Sequence, residues 1–125
     1  MVSFYEKVYA VVRCIPRGKV TSYGRIASML WKPQASRAVG YALRNLRHRM
    51  HEPEFASVPW QRVVNKEGVI RVASPGEKNL LQAELLELEG VNVTVPAYRV
   101  DMKKYLWEGL SPEEVGQLLQ SIEER

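Results

Sequence analysis

Residues 21–47 contain two helical patterns separated only by a short turn at residues 31–34. Thr21 or Ser22 is placed to cap the first helix. Its apolar positions recur at helical spacing, at Ile26, Ala27, Met29 and Leu30. The second helix spans about residues 35–47. Two helices joined by so short a turn must pack closely, and the pattern predicts a helix-turn-helix layout.

The second of these helices has two faces of opposite character. The apolar face is predicted to be core and carries Val39, Ala42, Leu43 and Leu46. The opposite face carries Arg37, Tyr41, Arg44 and His48. Ala38 and Gly40 flank Arg37 and are small, so a duplex could approach closely. A solvated basic face is the alternative, but the helix-turn-helix layout favours a surface for nucleic acid.

The charges are distributed unevenly along the chain. Residues 1–49 hold ten Lys or Arg and one acid, Glu6, which gives a net charge of +9. The remainder holds eight Lys or Arg and thirteen acids, a net charge of −5, and the whole chain carries +4. A basic half of a small domain is typical of proteins that bind a polyanion. Attraction between the basic half and the acidic half is the other explanation. The placement of the arginines has to decide between these two explanations.

The remaining patterns predict a mainly α fold with a small β-hairpin. Residues 3–14 read as a helix, and residues 48–57 read as a loop. The hairpin is predicted where Val63–Val64 and Val69–Ile70 flank the turn residues 65–68.

Two capping boxes predict two further helices. Ser74-Pro75-Gly76-Glu77 precedes a helix with Leu81, Leu85 and Leu88 on one face, ended by Gly90. Ser111-Pro112-Glu113-Glu114 precedes a helix that carries Val115, Leu118, Leu119 and Ile122. Between these helices, residues 91–95 alternate as a strand does.

Length and composition exclude several classes of protein. A chain of 125 residues is one domain, and no apolar run is long enough to cross a membrane. One cysteine, Cys14, cannot form an internal disulfide, and with two histidines it falls short of a zinc site. The N-terminus lacks the apolar segment of a signal peptide. We therefore expect an intracellular protein without a metal or cofactor.

The stretch SVPWQRVVN, residues 57–65, is framed like an active site but centres on a tryptophan. Trp60 cannot act as a nucleophile, acid or base, since its indole N–H only donates a hydrogen bond. Gln61 cannot serve as a base either. Such a site can bind a ligand by shape and stacking. Without the surrounding motif, the simpler interpretation is that Trp60 is a residue of the hydrophobic core. Cys14 has no histidine near it in sequence and is expected to be a packing residue.

Three ordered motifs carry a resemblance to a known family. They are IPRGKVTSYGRIA at residues 15–27, SRAVG at residues 36–40 and PWQRVVN at residues 59–65. Over roughly residues 4–107, the chain resembles the O6-alkylguanine-DNA alkyltransferase domain, whose central Pro-Cys-His-Arg-Val motif contains the alkyl-accepting cysteine. With a tryptophan in place of that cysteine, the chain resembles the alkyltransferase-like proteins, which share the fold but transfer no alkyl group. The resemblance implies a winged helix-turn-helix-like domain at residues 1–110, followed by a helical extension at 111–125.

The resemblance implies a role in DNA binding for one set of residues. Tyr23 matches the tyrosine that rotates the target nucleotide, and Arg37 matches the finger that fills the gap left by the flipped base. Ala38 and Gly40 match small residues that let the helix lie in the minor groove. Tyr41 and Arg44 share the exposed face of that helix, and Arg44 is a candidate phosphate contact.

A second set is implied for the pocket that receives the damaged base. Its members are Tyr23, Pro59, Trp60, Val63 and, as a guess for a cation at the pocket edge, Arg71. Glu89 matches the glutamate that orients the family's histidine, where this chain has Gln61. Arg62 has either a structural hydrogen-bonding role or a contact with DNA.

These expectations describe a non-enzymatic protein that binds O6-alkylguanine in double-stranded DNA and flips the base into a pocket. The resemblance implies that the complex flags the lesion for nucleotide excision repair proteins, and a monomer is the simplest state. The alternative is a winged-helix DNA-binding regulator with no lesion specificity. Residual alkyltransferase activity is a third hypothesis, which the missing cysteine disfavours.

Overall fold

The computed structural model describes residues 2–70 and 78–124. Seven α-helices occupy this part of the chain: α1 Phe4–Arg13, α2 Tyr23–Met29, α3 Ser36–Arg47, α4 Pro53–Ala56, α5 Lys78–Leu88, α6 Met102–Tyr105 and α7 Pro112–Glu123. A 3-10 turn spans Trp60–Arg62. The predicted mainly α fold is confirmed, and so are the predicted helices α1, α2, α3, α5 and α7.

Within the described residues, four two-residue strands form two small sheets: β1 Thr21–Ser22, β2 Val63–Val64, β3 Val93–Thr94 and β4 Arg99–Val100. β1 pairs with β2 in parallel, and β3 pairs with β4 in antiparallel. The predicted strand pairing of Val63–Val64 with Val69–Ile70 is wrong, because β2 pairs with β1 and Val69 forms a bridge with Arg99. The turn between them does form, and the Asn65 N–H donates to the Val69 carbonyl at 3.2 Å. The small hairpin of this fold lies instead at residues 93–100.

The helix-turn-helix is built by local capping and by an apolar seam. Ser22 accepts a hydrogen bond from the Arg25 backbone N–H at 3.2 Å and so caps α2, as predicted. Along α3, all four residues of the predicted core face are buried: Val39, Ala42, Leu43 and Leu46. The Tyr9 hydroxyl donates to the Ala42 carbonyl at 2.7 Å and fixes α1 against α3. This packing leaves the opposite face of α3 to solvent.

Two hydrophobic clusters form the interior. The larger cluster joins α1, α2 and α3 to Trp60, Trp107 and Val115. The smaller cluster lies around β2, α5 and the β3–β4 hairpin. α7 begins at the predicted capping box, in which Ser111 and Glu114 exchange hydrogen bonds, and packs on α1 through the buried Val115. Val115 of the predicted extension thus belongs to the larger hydrophobic cluster. The division of the chain into residues 1–110 and 111–125 stays a prediction.

Other predictions were wrong or fall outside the described residues. The predicted loop 48–57 contains α4, which Pro53 opens at the first helical position. On α5, Leu81 is 51% and Leu88 is 73% exposed, while Gln82 and Leu86 are buried, so the predicted apolar face was wrong. The capping box at residues 74–77 lies outside the described residues. Within residues 2–70 and 78–124, no helix combines the length and apolar character needed to span a membrane.

Candidate nucleic-acid interface

The exposed face of α3 presents two arginines and a tyrosine along one side of the molecule. Arg37, Tyr41 and Arg44 are all exposed, and the Arg44 guanidinium lies 5.6 Å from the centroid of the Tyr41 ring. This cation–π contact holds Arg44 along the helix surface. Gly40 faces open space, since a Cβ added there would meet no atom from another part of the described chain within 4 Å. Together with the small Ala38, it leaves room for a partner to lie against the helix.

The central motif lies at the start of the 3-10 turn and is largely buried. Trp60 is 7% and Val63 is 1% exposed, while Pro59 is half-buried. The Trp60 indole belongs to the same hydrophobic cluster as α1, α2 and α3. Tyr23, at the first position of α2, is half-buried and packs against this cluster. The structure thus joins Tyr23 and Trp60 through one cluster, whereas Arg71 lies outside the described residues.

Glu89 forms the centre of a buried polar network with the two residues that follow Trp60 in the 3-10 turn. The Glu89 carboxylate accepts from Gln61 Nε2 at 2.8 Å and from Arg62 Nε and Nη2 at 2.9 and 3.0 Å. Arg62 Nη1 also donates to the Ile15 carbonyl at 2.7 Å. The side chains of Arg62 and Glu89 are 16% and 6% exposed. Of the two roles considered for Arg62, the structure shows the hydrogen-bonding one.

Gln82 completes this network, and the sequence analysis missed it. Its buried side-chain amide donates to the carbonyls of Gln61 and Val63, each at 3.0 Å. The sequence carries no local signal for it, because Gln82 is one of several polar residues on α5 and its buried amide finds partners only in the fold. Gln82 thus ties α5 to the backbone on both sides of Arg62 and holds the 3-10 turn in place.

The network lowers the pKa of Glu89. Burial alone would raise the pKa, but hydrogen bonds from Arg62 and Gln61, the Arg62 charge and the Gly18 backbone N–H together outweigh it. A carboxylate whose pKa is lowered on folding stabilises the protein above its ordinary value of 4.5. This contribution is lost as the pH falls through the lower folded-state value.

Glu89→Gln should therefore destabilise the protein by about 2–4 kcal/mol at neutral pH, because it leaves the largely buried Arg62 without its counter-ion. Urea unfolding at pH 7 and again below pH 4.5 measures this effect. The wild type should lose more stability than the variant on acidification. Glu84→Gln, at an exposed position of α5 close to Glu89 in sequence, is the matched control. Equal losses in Glu89→Gln and the wild type would show that the network does not couple stability to pH.

Cys14 differs from the expected packing residue, since it is exposed. Its Sγ donates to the Ala10 carbonyl at 3.4 Å. The pKa of the thiol is raised, first by partial desolvation of the sulfur and then by the charge of Glu114. A thiol with a raised pKa is mostly protonated at neutral pH and is a poor nucleophile.

The described residues also line cavities that do not include Trp60. One borders α2 and the segment that leads into α7, and another lies between α5 and the β3–β4 hairpin. Neither is lined by Trp60 or Val63. In the part of the chain that the structure describes, no three His, Cys, Asp or Glu side chains cluster as a metal site would require.

Comparison with known protein families gives one match that covers most of the chain. The family model described as 6-O-methylguanine DNA methyltransferase, DNA binding domain, matches residues 3–91. This match includes all three motifs on which the resemblance rests and both helices of the helix-turn-helix.

Curated relatives of this chain include both alkyltransferase-like proteins and methyltransferases. Alkyltransferase-like protein 1 of Schizosaccharomyces pombe is 39% identical over 113 residues, covering 86% of this chain and 97% of that protein. The DNA base-flipping protein of Escherichia coli is 38% identical over 105 residues, covering 84% and 74%. The methylated-DNA–protein-cysteine methyltransferase of Mycobacterium bovis is 35% identical over 86 residues, covering 69% and 47%.

Solved structures with a similar fold include complexes with DNA. S. pombe Atl1 in complex with damaged DNA containing O6-carboxymethylguanine matches with a TM-score of 0.74 and 36% identity, over 86% of this chain and 99% of that chain. Mycobacterium tuberculosis OGT in complex with DNA matches with a TM-score of 0.54 and 36% identity, over 71% and 50%. The winged helix-turn-helix-like architecture expected from the resemblance is thus confirmed at the level of the family fold.

Proposed function

Because this chain belongs to the family of the 6-O-methylguanine DNA methyltransferase DNA-binding domain, we propose that it binds O6-alkylguanine in duplex DNA without removing the alkyl group. The observation that carries this proposal is Trp60, which occupies the position where the family's central motif has its alkyl-accepting cysteine. The likeness to S. pombe Atl1 bound to damaged DNA supports it.

The DNA side of the proposal rests on α3. Its exposed Arg37 enters the duplex through the minor groove and occupies the gap that the flipped base leaves. A planar guanidinium suits this position because it can both hydrogen-bond an orphaned base and stack in the vacancy. Ala38 and Gly40 let the helix approach the groove, and Tyr41 and Arg44 contact the backbone beside it. These contacts add affinity that falls as the salt concentration rises.

The proposed pocket for the lesion consists of Tyr23, Pro59, Trp60 and Val63, while Arg71 stays a sequence-based candidate for its edge. O6-alkylation removes the N1 proton of guanine and weakens its pairing, so flipping this base costs less than the few kcal/mol of an intact pair. Tyr23 assists rotation of the nucleotide. The base then meets the indole of Trp60, which offers a flat apolar surface to the ring and its alkyl group. Since Trp60 is 7% exposed, neighbouring side chains must move to admit the base fully.

Alkyl transfer is not expected from this site. Transfer needs a soft nucleophile beside a base that activates it. Trp60 offers only an indole N–H, and Gln61 donates its amide to Glu89. Cys14 has a raised pKa and bonds within α1. The protein therefore acts as a non-enzymatic sensor of damage.

A sensor that leaves the lesion in place needs a partner that removes it. We assign this role to nucleotide excision repair proteins, which would recognise the stable complex on bent DNA. The protein is proposed to act as a monomer inside the cell, where the DNA lies. α7 packs on α1, and its exposed acidic residues Glu113 and Glu114 are available to such a partner.

Incubation with a duplex that carries one O6-methylguanine tests the absence of transfer. We expect a complex on a native gel, an unchanged intact mass of the protein and full recovery of the lesion from the DNA. A protein heavier by one methyl group would overturn the proposal. An alkyltransferase with an active-site cysteine serves as the positive control for transfer.

The burial of Trp60 favours one alternative, a winged-helix DNA-binding protein without lesion specificity. In that case Trp60 is a core residue, and α3 binds any duplex through charge. Equal affinities for damaged and intact DNA would support this second candidate.

A further inference from the structure

A cavity of about 630 Å³ lies between α2 and the segment that leads into α7. Its wall includes Ser28 from the end of α2, Trp31 from the turn after it, Leu110 from that segment and Lys66 from the turn after β2. Trp31 belongs to the turn that joins α2 to α3, so the cavity adjoins the DNA-binding half of the molecule.

Trp31 is held in the cavity wall in an unfavourable conformation. Its φ of 59° lies in the left-handed region, which a bulky residue adopts only under strain. The side chain is 57% exposed, whereas Trp60 and Trp107 are 7% and 9% exposed. Burial of the ring therefore does not compensate for the strain, and strained residues cluster at binding sites.

Two cations, Arg25 and Lys66, line the same cavity as Trp31. Arg25 donates through Nη2 to the carbonyls of Glu108, at 3.2 Å, and Trp107, at 3.5 Å, and the same guanidinium carries other N–H groups. Lys66 is exposed and forms no ion pair with the described residues. Glu108 is the only acid among the described residues of the cavity wall, so Arg25 and Lys66 leave a net positive charge there. An exposed indole and two cations in the wall of one cavity suit a ligand that has an aromatic ring and a phosphate.

We propose that this cavity binds an unpaired nucleotide, with its base stacked on Trp31 and its phosphate between Arg25 and Lys66. The site is separate from Trp60 and Val63, which do not line it. The inference rests on the proposed function, because α3 would bring DNA to the adjacent turn. A nucleotide of a single-stranded segment and a free nucleotide share this chemistry, and the continuity with α3 favours the strand.

The affinity test compares a blunt duplex with the same duplex carrying a short thymine overhang. Stacking on an aromatic side chain contributes about 1–3 kcal/mol per base, which corresponds to roughly five-fold or more in affinity. The overhang should therefore strengthen wild-type binding at least about five-fold, and Trp31→Ala should remove this gain. Lys66→Ala should reduce the slope of log affinity against log salt by about 1.

Fluorescence reports on the same ring directly. The signal of Trp31 is isolated by subtracting the spectrum of Trp31→Phe, which keeps an aromatic ring, from that of the wild type. The overhang duplex should quench this difference signal and protect it from acrylamide more than the blunt duplex does. Quenching by deoxyadenosine monophosphate but not by the overhang would overturn the assignment to a strand.

A glycine variant separates binding from folding. Trp31→Gly removes the ring and relieves the left-handed strain, so it should raise the melting temperature while losing the overhang gain. An overhang gain that survives in both Trp31→Ala and Trp31→Gly would overturn the inference. Failure of every duplex to bind the wild type would instead overturn the proposed function.

Discussion

Arg37→Ala should weaken binding to a duplex containing O6-methylguanine by about 30-fold or more. Arg37 is exposed on α3, and in the proposed complex it occupies the gap that the flipped base leaves. Flipping the base costs a few kcal/mol of unstacking, and without Arg37 no side chain fills the vacancy in the duplex to offset that cost. A loss of about 2 kcal/mol corresponds to roughly 30-fold in the dissociation constant. Fluorescence anisotropy at fixed salt measures it.

Two further variants show whether charge or shape is responsible. Arg37→Lys keeps the positive charge but lacks the planar guanidinium, so it should recover little of the lost affinity. Arg44→Ala removes one exposed cation from the same face of α3 and should weaken damaged and intact DNA equally. If Arg37→Lys bound like the wild type, Arg37 would be a phosphate contact and not a finger.

Trp60→Ala should bring the affinities for damaged and intact DNA close to each other. Loss of the indole removes the surface that the flipped base meets in the proposed pocket. The same change should lower the free energy of unfolding by about 3–5 kcal/mol, because Trp60 is buried in the larger hydrophobic cluster. Urea unfolding therefore has to accompany the binding measurement.

Trp107→Phe and Trp60→Phe separate the two effects of that change. Trp107 is buried in the same hydrophobic cluster, so Trp107→Phe should reduce stability and keep the preference for the lesion. Trp60→Phe keeps an aromatic ring and should retain part of the preference. Should Trp60→Ala discriminate lesions as well as the wild type does, the pocket would not lie at this residue.

The helical part of the fold could be predicted because its signals are local. Ser22 caps α2 and Ser111 caps α7 through bonds to residues only three positions away. The apolar face of α3 follows helical periodicity and is buried as predicted. Arg37, Tyr41 and Arg44 are therefore exposed together, as the sequence indicated. Their contacts with DNA stay predictions.

The pairing of β1 with β2 and the polar network could not be predicted because their partners are distant in sequence, whereas β3 lies in the strand predicted at residues 91–95. Val63 and Val64 pair with Thr21 and Ser22, and nothing in the local pattern of residues 63–70 reveals this. Gln82 is one of several polar residues on α5, and only its bonds to the carbonyls of Gln61 and Val63 show why it is buried.

Trp60 shows which properties of the candidate site can be predicted from the sequence and which cannot. Its identity excluded a nucleophile at once, but its burial depends on how α1, α2 and α3 pack around it. The resemblance implied an aromatic wall, and the structure adds that the wall is largely covered. The remaining question is therefore whether the base reaches this ring.

The most direct test of lesion recognition is a titration at controlled salt with two duplexes that differ only in one O6-methyl group. We expect the duplex with O6-methylguanine to bind at least about ten-fold tighter, a difference of about 1.4 kcal/mol, because the weakened pair is easier to flip and its alkyl group contacts Trp60. Equal dissociation constants at every salt concentration would contradict lesion recognition and leave a protein that binds DNA through the charge of α3.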